Sequence, residues 1–86
     1  VRELVFRPEA LEQLAWWVQN NRQSALRILR LIEEIQRNPF VGTGKPEPLK
    51  HQLSGAWSRR IDKAHRLVCQ VSDQEITILS CRFHYE

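Results

Sequence analysis

Trp57-Ser-Arg-Arg-Ile-Asp-Lys-Ala-His-Arg-Leu-Val-Cys-Gln-Val71 carries a period of two. Trp57, Arg59 and Ile61 alternate with Ser58 and Arg60. After the polar break at residues 62–65, Leu67, Cys69 and Val71 alternate with Arg66, Val68 and Gln70. This is the pattern of strands with one face in a core and the other outside it. A third run, Ile76 to Phe83, follows Ser72-Asp73-Gln74-Glu75, which has the composition of a turn. Three consecutive strands predict an antiparallel meander, and one face of it needs a cover.

The cover lies upstream, where the period is helical. Pro8 suits the first position of a helix, with Glu9 favourable in the first turn. Leu11, Leu14, Ala15 and Val18 recur at helical spacing and are expected to face the core, with Trp17 at the border. Trp16 falls on the opposite side, among Glu12, Gln13 and Gln19, where a large aromatic is either a partly covered surface ring or a contact to another chain. Asn20-Asn21 breaks the pattern. A second helix is expected from about Arg22 to Arg37, with Ala25, Ile28, Leu29, Ile32 and Ile35 inward and Leu31 at the margin. Asn38-Pro39 stops it, because the residue before a proline avoids the helical region.

Ahead of the helices, residues 2 to 6 read as a short strand. Between the helices and the meander, Gly42-Thr-Gly-Lys-Pro-Glu-Pro48 holds two Gly and two Pro, which excludes a helix or a central strand. The prolines on either side of Glu47 give its carboxylate a preset direction. The expected architecture is α+β, in the order β-α-α-β-β-β: an antiparallel sheet with two N-terminal helices on one face, in one domain spanning residues 1–86.

At 86 residues the chain is too short for a deep interdomain cleft, so an active site would be a shallow groove. Cys69 and Cys81 are too few for a disulfide scaffold, and both sit in apolar runs, which suggests a reducing compartment. With no apolar run near 18 residues and no signal-peptide pattern, the reading is a cytoplasmic protein without a membrane span. The chain contains no Met, so an initiator is expected to have been removed, recoded or trimmed. The net charge of +3 conceals its distribution. Residues 44 to 66 hold six bases (Lys45, Lys50, Arg59, Arg60, Lys63, Arg66) against Glu47 and Asp62, a local +4. Such a field attracts a phosphate backbone or an acidic partner.

The side chains able to line the uncovered sheet face are Glu47, Lys50, Arg60, Arg66, His84 and Tyr85. His51, His65 and His84 lack metal-ligand companions, so no metal or other cofactor is expected. No serine has a nucleophile-elbow context, and Gly42-Thr-Gly-Lys45 runs into Pro rather than a helix. What remains suits metal-free cleavage of RNA, in which the 2′-hydroxyl is the nucleophile. That reaction needs a base (Glu47), an acid (His84) and cations for the phosphorane charge (Arg66, Lys50). Tyr85 can stack on a base, and Arg59 and Arg60 can track the backbone. Each residue also has a plainer reading: Glu47 neutralising Lys45 or Lys50, His84-Tyr85 as a terminus, Arg66 on a polar sheet face. From the residues alone, a ribonuclease, a non-catalytic RNA- or ribosome-binding module and a subunit for an acidic protein partner all stay open.

Three segments carry a resemblance: Pro39-Phe-Val-Gly-Thr-Gly-Lys-Pro-Glu-Pro-Leu-Lys-His-Gln-Leu-Ser-Gly-Ala-Trp-Ser-Arg-Arg-Ile61, His65-Arg-Leu-Val68 and Cys81-Arg-Phe-His-Tyr85. Together they resemble the YoeB/Txe family of toxins from bacterial type II toxin-antitoxin modules, within the RelE-like group and its microbial-ribonuclease-like fold. The resemblance implies a ribosome-dependent endoribonuclease that cuts mRNA in the ribosomal A site. It implies Glu47 as general base, His84 as general acid and Arg66 at the transition state. Lys50 and Arg60 would contact phosphate, Tyr85 would hold the terminal stacking place, and Lys45 would face ribosomal RNA. It further implies a YefM/Axe-like antitoxin as partner, a toxin homodimer, and contact with DNA only through the antitoxin complex. Two positions depart from the pattern: Glu86 extends past His-Tyr, and Cys69 stands where an aromatic is expected.

Overall fold

The computed structural model describes residues 2–50 and 55–83. It contains β1 (Glu3–Phe6), α1 (Pro8–Asn20), α2 (Arg22–Arg37), β2 (Glu47–Pro48), β3 (Ala56–Arg60), β4 (Arg66–Val71) and β5 (Glu75–Ser80). The five strands form one sheet in the order β1-β5-β4-β3-β2. The meander β3-β4-β5 is antiparallel as expected, but β1 joins β5 in parallel, so the sheet is mixed rather than wholly antiparallel. The helical hairpin returns the chain to the far edge of the sheet, which leaves β1 beside the last strand and not the next one. No helix among the described residues is long and apolar enough to cross a membrane.

Local chemistry sets the helix ends. Arg7 is extended (φ −68°, ψ 148°), which suits Pro8 at the first turn of α1. Asn21 serves both helices: its N–H donates to the Trp17 carbonyl and its Oδ1 accepts the Ser24 N–H at 3.2 Å. The connection is therefore tight, and the helices pack as a hairpin. Asn38 ends α2 in an extended conformation, and its Oδ1 accepts the Phe40 N–H.

The core lies between the helices and the face of the sheet that bears Leu67, Cys69, Ile76 and Ile78. The helices contribute Ala10, Trp17, Ala25, Ile28, Leu31, Ile32 and Ile35. Two expectations need correction. In α1 the inward side is Ala10, Leu14 and Trp17, while Leu11 and Val18 are more than half exposed. The helix is thus turned by about 100°, one residue step, from the aliphatic stripe. In α2, Leu31 is buried and Leu29 is exposed, the reverse of the reading by spacing. Trp17 explains the first case, since its ring fills the core while its Nε1 donates to the Cys81 carbonyl at 2.7 Å. Trp16 is the partly covered ring of the two readings offered for it, half-buried, edge-on to Trp17 and beneath the Arg82 guanidinium, which lies 3.5 Å from its ring centre.

Candidate active site

Residues directly opposite one another in an antiparallel pair project from the same face of a sheet. Glu47 is opposite Ser58, Ser58 is opposite Val68, and Arg60 is opposite Arg66. With the alternation along each strand, Glu47, Ser58, Arg60 and Arg66 share the face away from the helices. The expected gathering of Glu47, Arg60 and Arg66 on one face is therefore present. Ser58 is an addition that the alternation could have supplied: it is buried between them, and Arg66 Nη1 approaches its Oγ at 3.5 Å, the limit of a hydrogen bond.

Glu47 is exposed, and the constrained loop expected around it includes a short extended stretch. Glu47–Pro48 adds a two-residue edge strand to β3, a place where prolines are tolerated because no ladder donor is lost to a neighbour. Behind it, the Gly44 carbonyl accepts the Arg60 N–H at 2.7 Å. Gly44 has φ +86°, and a Cβ there would lie 3.1 Å from the Arg60 carbonyl oxygen, so the approach needs a glycine. Arg27, from α2, donates from Nη2 to that same Arg60 carbonyl and from Nε to Ile61. Arg60 thus has both backbone groups held while its side chain reaches solvent. Lys45 and Lys50, the other two bases of this segment, are exposed.

Arg59 does not track a nucleic-acid backbone. It is 1% exposed, on the helix side of the sheet. Its Nη1 donates to Glu34 Oε1 (3.1 Å) and the Thr43 carbonyl (3.2 Å), and its Nη2 to the carbonyls of Asn38 (2.9 Å) and Val41 (3.1 Å). The guanidinium is the internal strut of the 38–43 loop. Glu34 in turn accepts the Thr43 N–H at 2.8 Å. That bond foremost, with Thr43's side chain and Arg59 assisting against burial, holds the Glu34 carboxyl below its ordinary range.

The third strand of the meander was expected to run to Phe83, but it stops at Ser80 because the next backbone groups go elsewhere. Gln13 Oε1 accepts the Cys81 N–H at 2.7 Å, and Trp17 takes the Cys81 carbonyl from one helical turn further along α1. Two residues on, His65 Nδ1 accepts the Phe83 N–H at 2.7 Å, and the Arg66 N–H donates to the Phe83 carbonyl at 3.0 Å. The bend is tied to the same strand start that carries Arg66. His84 and Tyr85, named from the sequence as acid and stacking group, lie outside the described residues.

Across β3 and β4 the two guanidinium side chains of Arg60 and Arg66 stand directly opposed. Among the described residues neither has a carboxylate within ion-pair distance. Like charges placed so repel, and the pair persists most easily where an anion comes between them. Residues 6–85 match the sequence model of the YoeB-like toxin of bacterial type II toxin-antitoxin system. The chain belongs to the YoeB-like toxin family. It is 54% identical over 85 residues to toxin RelK of Mycobacterium tuberculosis, covering 99% of this chain and all of that one. Its fold superposes on a YoeB dimer from Staphylococcus aureus with a TM-score of 0.89 at 42% identity, covering 98% of each chain. It likewise matches the toxin in a YoeB-YefM complex from Staphylococcus aureus, with a TM-score of 0.86 at 43% identity and 99% of each chain covered. As a YoeB-like chain it is a toxin of a type II toxin-antitoxin system, with an α+β fold of two helices on a five-stranded mixed sheet.

Proposed function

We infer that this toxin is a ribosome-dependent endoribonuclease that cleaves mRNA in the ribosomal A site. The observation that carries the reading is the opposed pair Arg60 and Arg66, with Glu47 one strand away across Ser58 on the same face. In the proposed reaction the Glu47 carboxylate removes the proton of a ribose 2′-hydroxyl. The O2′ then attacks the adjacent phosphorus, and His84 delivers a proton to the departing O5′ as the P–O5′ bond breaks. The products are a 2′,3′-cyclic phosphate and a 5′-hydroxyl. Arg66, with Arg60 and Lys50, balances the charge on the phosphorane oxygens, so no metal or cofactor is required. Tyr85 stacks on a base and Lys45 faces ribosomal RNA. A shallow face suffices because the ribosome positions the substrate.

The partners follow from the relatives. The YoeB-YefM complex supports pairing with an antitoxin. In this reading a YefM/Axe-like antitoxin neutralises the toxin in the bacterial cytoplasm and connects it to DNA only indirectly. A homodimer is proposed on the strength of the YoeB dimer. The decisive experiment maps 5′ ends on ribosomes stalled with a defined A-site codon, using wild type, Glu47→Ala and His84→Ala. Cleavage within the A-site codon by wild type, slowed at least about a hundredfold in either variant, supports the assignment. Ribosome binding with no cut RNA would instead mean a binding module, and full activity in both variants would remove Glu47 and His84 from the mechanism.

A further inference from the structure

Residues 81 to 83 contain a closed set of contacts that the proposed chemistry leaves unused. Trp17 donates to the Cys81 carbonyl and lies edge-on to the His65 ring, with centroids 4.9 Å apart and planes at 89°. His65 Nδ1 accepts the Phe83 N–H at 2.7 Å, and the Arg66 N–H takes the Phe83 carbonyl. Phe83 has φ +72°, a left-handed conformation that a residue with a side chain holds only when its surroundings impose it. Consecutive residues at the start of β4 therefore grip both polar groups of one strained residue. From that residue the chain continues directly into His84.

The His65 backbone is fixed in turn, because Asp62 Oδ1 accepts its N–H at 2.7 Å and that of Ala64 at 2.8 Å. An imidazole that accepts an amide proton at Nδ1 has its lone pair there, so its own proton is on Nε2. The acceptor is specific to this ring and this tautomer; a protonated or Nδ1–H ring would present a donor to a donor.

We propose that His65 is a positioning residue for the ribonuclease reaction: with the Arg66 N–H it locks Phe83 in its left-handed conformation, and so fixes the residue that immediately precedes His84 in the chain. The proposal rests on the function inferred above. It assigns His65 no contact with substrate.

Two variants separate positioning from packing. His65→Phe keeps a flat ring against Trp17 and removes the acceptor. His65→Asn gives up the ring but places Oδ1 where Nδ1 stood. Single-turnover cleavage on programmed ribosomes should show kcat for His65→Phe falling tenfold or more with KM within about twofold. His65→Asn should recover most of that rate. Independently of activity, amide exchange should show the Phe83 N–H protected in wild type and His65→Asn and unprotected in His65→Phe. The imidazole nitrogen shifts of wild-type His65 should report an Nε2–H ring. Wild-type kcat in His65→Phe overturns the proposal whether or not the Phe83 amide is released, and so does a His65→Asn variant as slow as His65→Phe with an equally unprotected amide. If wild type cuts no RNA, the ribonuclease reading fails and the catalytic role fails with it, while amide exchange and the tautomer still decide whether His65 holds Phe83.

Discussion

Arg59 Nη1 donates to Glu34 Oε1 at 3.1 Å, joining the middle of β3 to the last turns of α2 through a guanidinium that water does not reach. The contact closes the corner from which the Glu47 segment departs. Because Arg59 also satisfies three carbonyls of the 38–43 loop, removing its charge partner leaves a buried cation uncompensated. Glu34→Gln keeps an acceptor for Thr43 but loses the charge, and Glu34 is itself one-third exposed. A loss of about 1–3 kcal/mol in urea unfolding at neutral pH is expected.

The pH dependence of that loss has a definite sign. The Glu34 carboxyl is held below its ordinary value of 4.5 in the folded protein. Its contribution is thus full above the unfolded value and disappears as pH falls through the lower folded one. The stability gap between wild type and Glu34→Gln should be constant from pH 8 down to about 6 and close below pH ~4. A gap that widened in acid would contradict the assignment.

Neighbouring arginines should behave as different kinds of residue. Arg59→Ala is expected to lower stability by about 3 kcal/mol or more, since it strips the donors from the loop carbonyls. Arg60→Ala should leave the thermal midpoint within a degree or two of wild type, because among the described residues only its backbone is hydrogen-bonded. It should weaken binding to RNA or ribosomes and reduce the salt slope of that binding by about one. Thermal melts and salt-dependent binding on the two proteins decide the matter.

Gly42 has φ +141°, and a Cβ there would sit 2.6 Å from Glu34 Oε1 and 2.8 Å from Arg59 Nη1. Gly42→Ala should therefore cost about 1–3 kcal/mol. Part of that cost should vanish when Glu34 has already been replaced by a smaller residue. A double-mutant cycle with Glu34→Ala reads the coupling, and strict additivity would show that the glycine is needed only for its backbone.

Burial pushes the thiols of Cys69 and Cys81 up to about 11, and both are free. Both should resist thiol reagents in the native state at pH 8 and react fully in denaturant. A thiol whose folded value lies above the ordinary 9.0 stabilises fully below that value, and the contribution is lost as pH rises towards 11. Stability should fall from pH 9 upward by at most about 1.4 kcal/mol per pH unit per thiol. The Cys69→Ala, Cys81→Ala double variant should show a shallower decline in alkaline unfolding curves.

Much of the molecule is legible in its sequence because the relevant physics is local. Period two from Trp57 to Val71, the Asn20-Asn21 and Asn38-Pro39 breaks and Pro8 at a helix start each act within a few residues. They locate β3, β4 and both helices with ends close to those observed. The same alternation places Glu47, Arg60 and Arg66 on one face once the strands pair. What misleads is hydrophobicity without size or hydrogen bonding. Leu11, Ala15 and Val18 form the better aliphatic stripe, yet α1 turns Ala10 and Trp17 inward because an indole and a glutamine can also bind the backbone of Cys81.

The sequence by itself determined the helical hairpin, the meander, the local +4 charge of residues 44 to 66 and the family signature, since each is written in spacing along the chain. Only the tertiary structure decided that Arg59 is a strut while the Arg60 side chain reaches solvent. Alternation puts them on opposite faces, but it takes the packed helices to show which face is dry and where the Glu34 carboxylate waits. Tertiary structure likewise decided that β1 runs parallel to β5 and that the last strand ends at Ser80. Both depend on partners some 70 residues away along the chain, Glu3 against Gln74 and Cys81 against Gln13, and no local pattern records such partners.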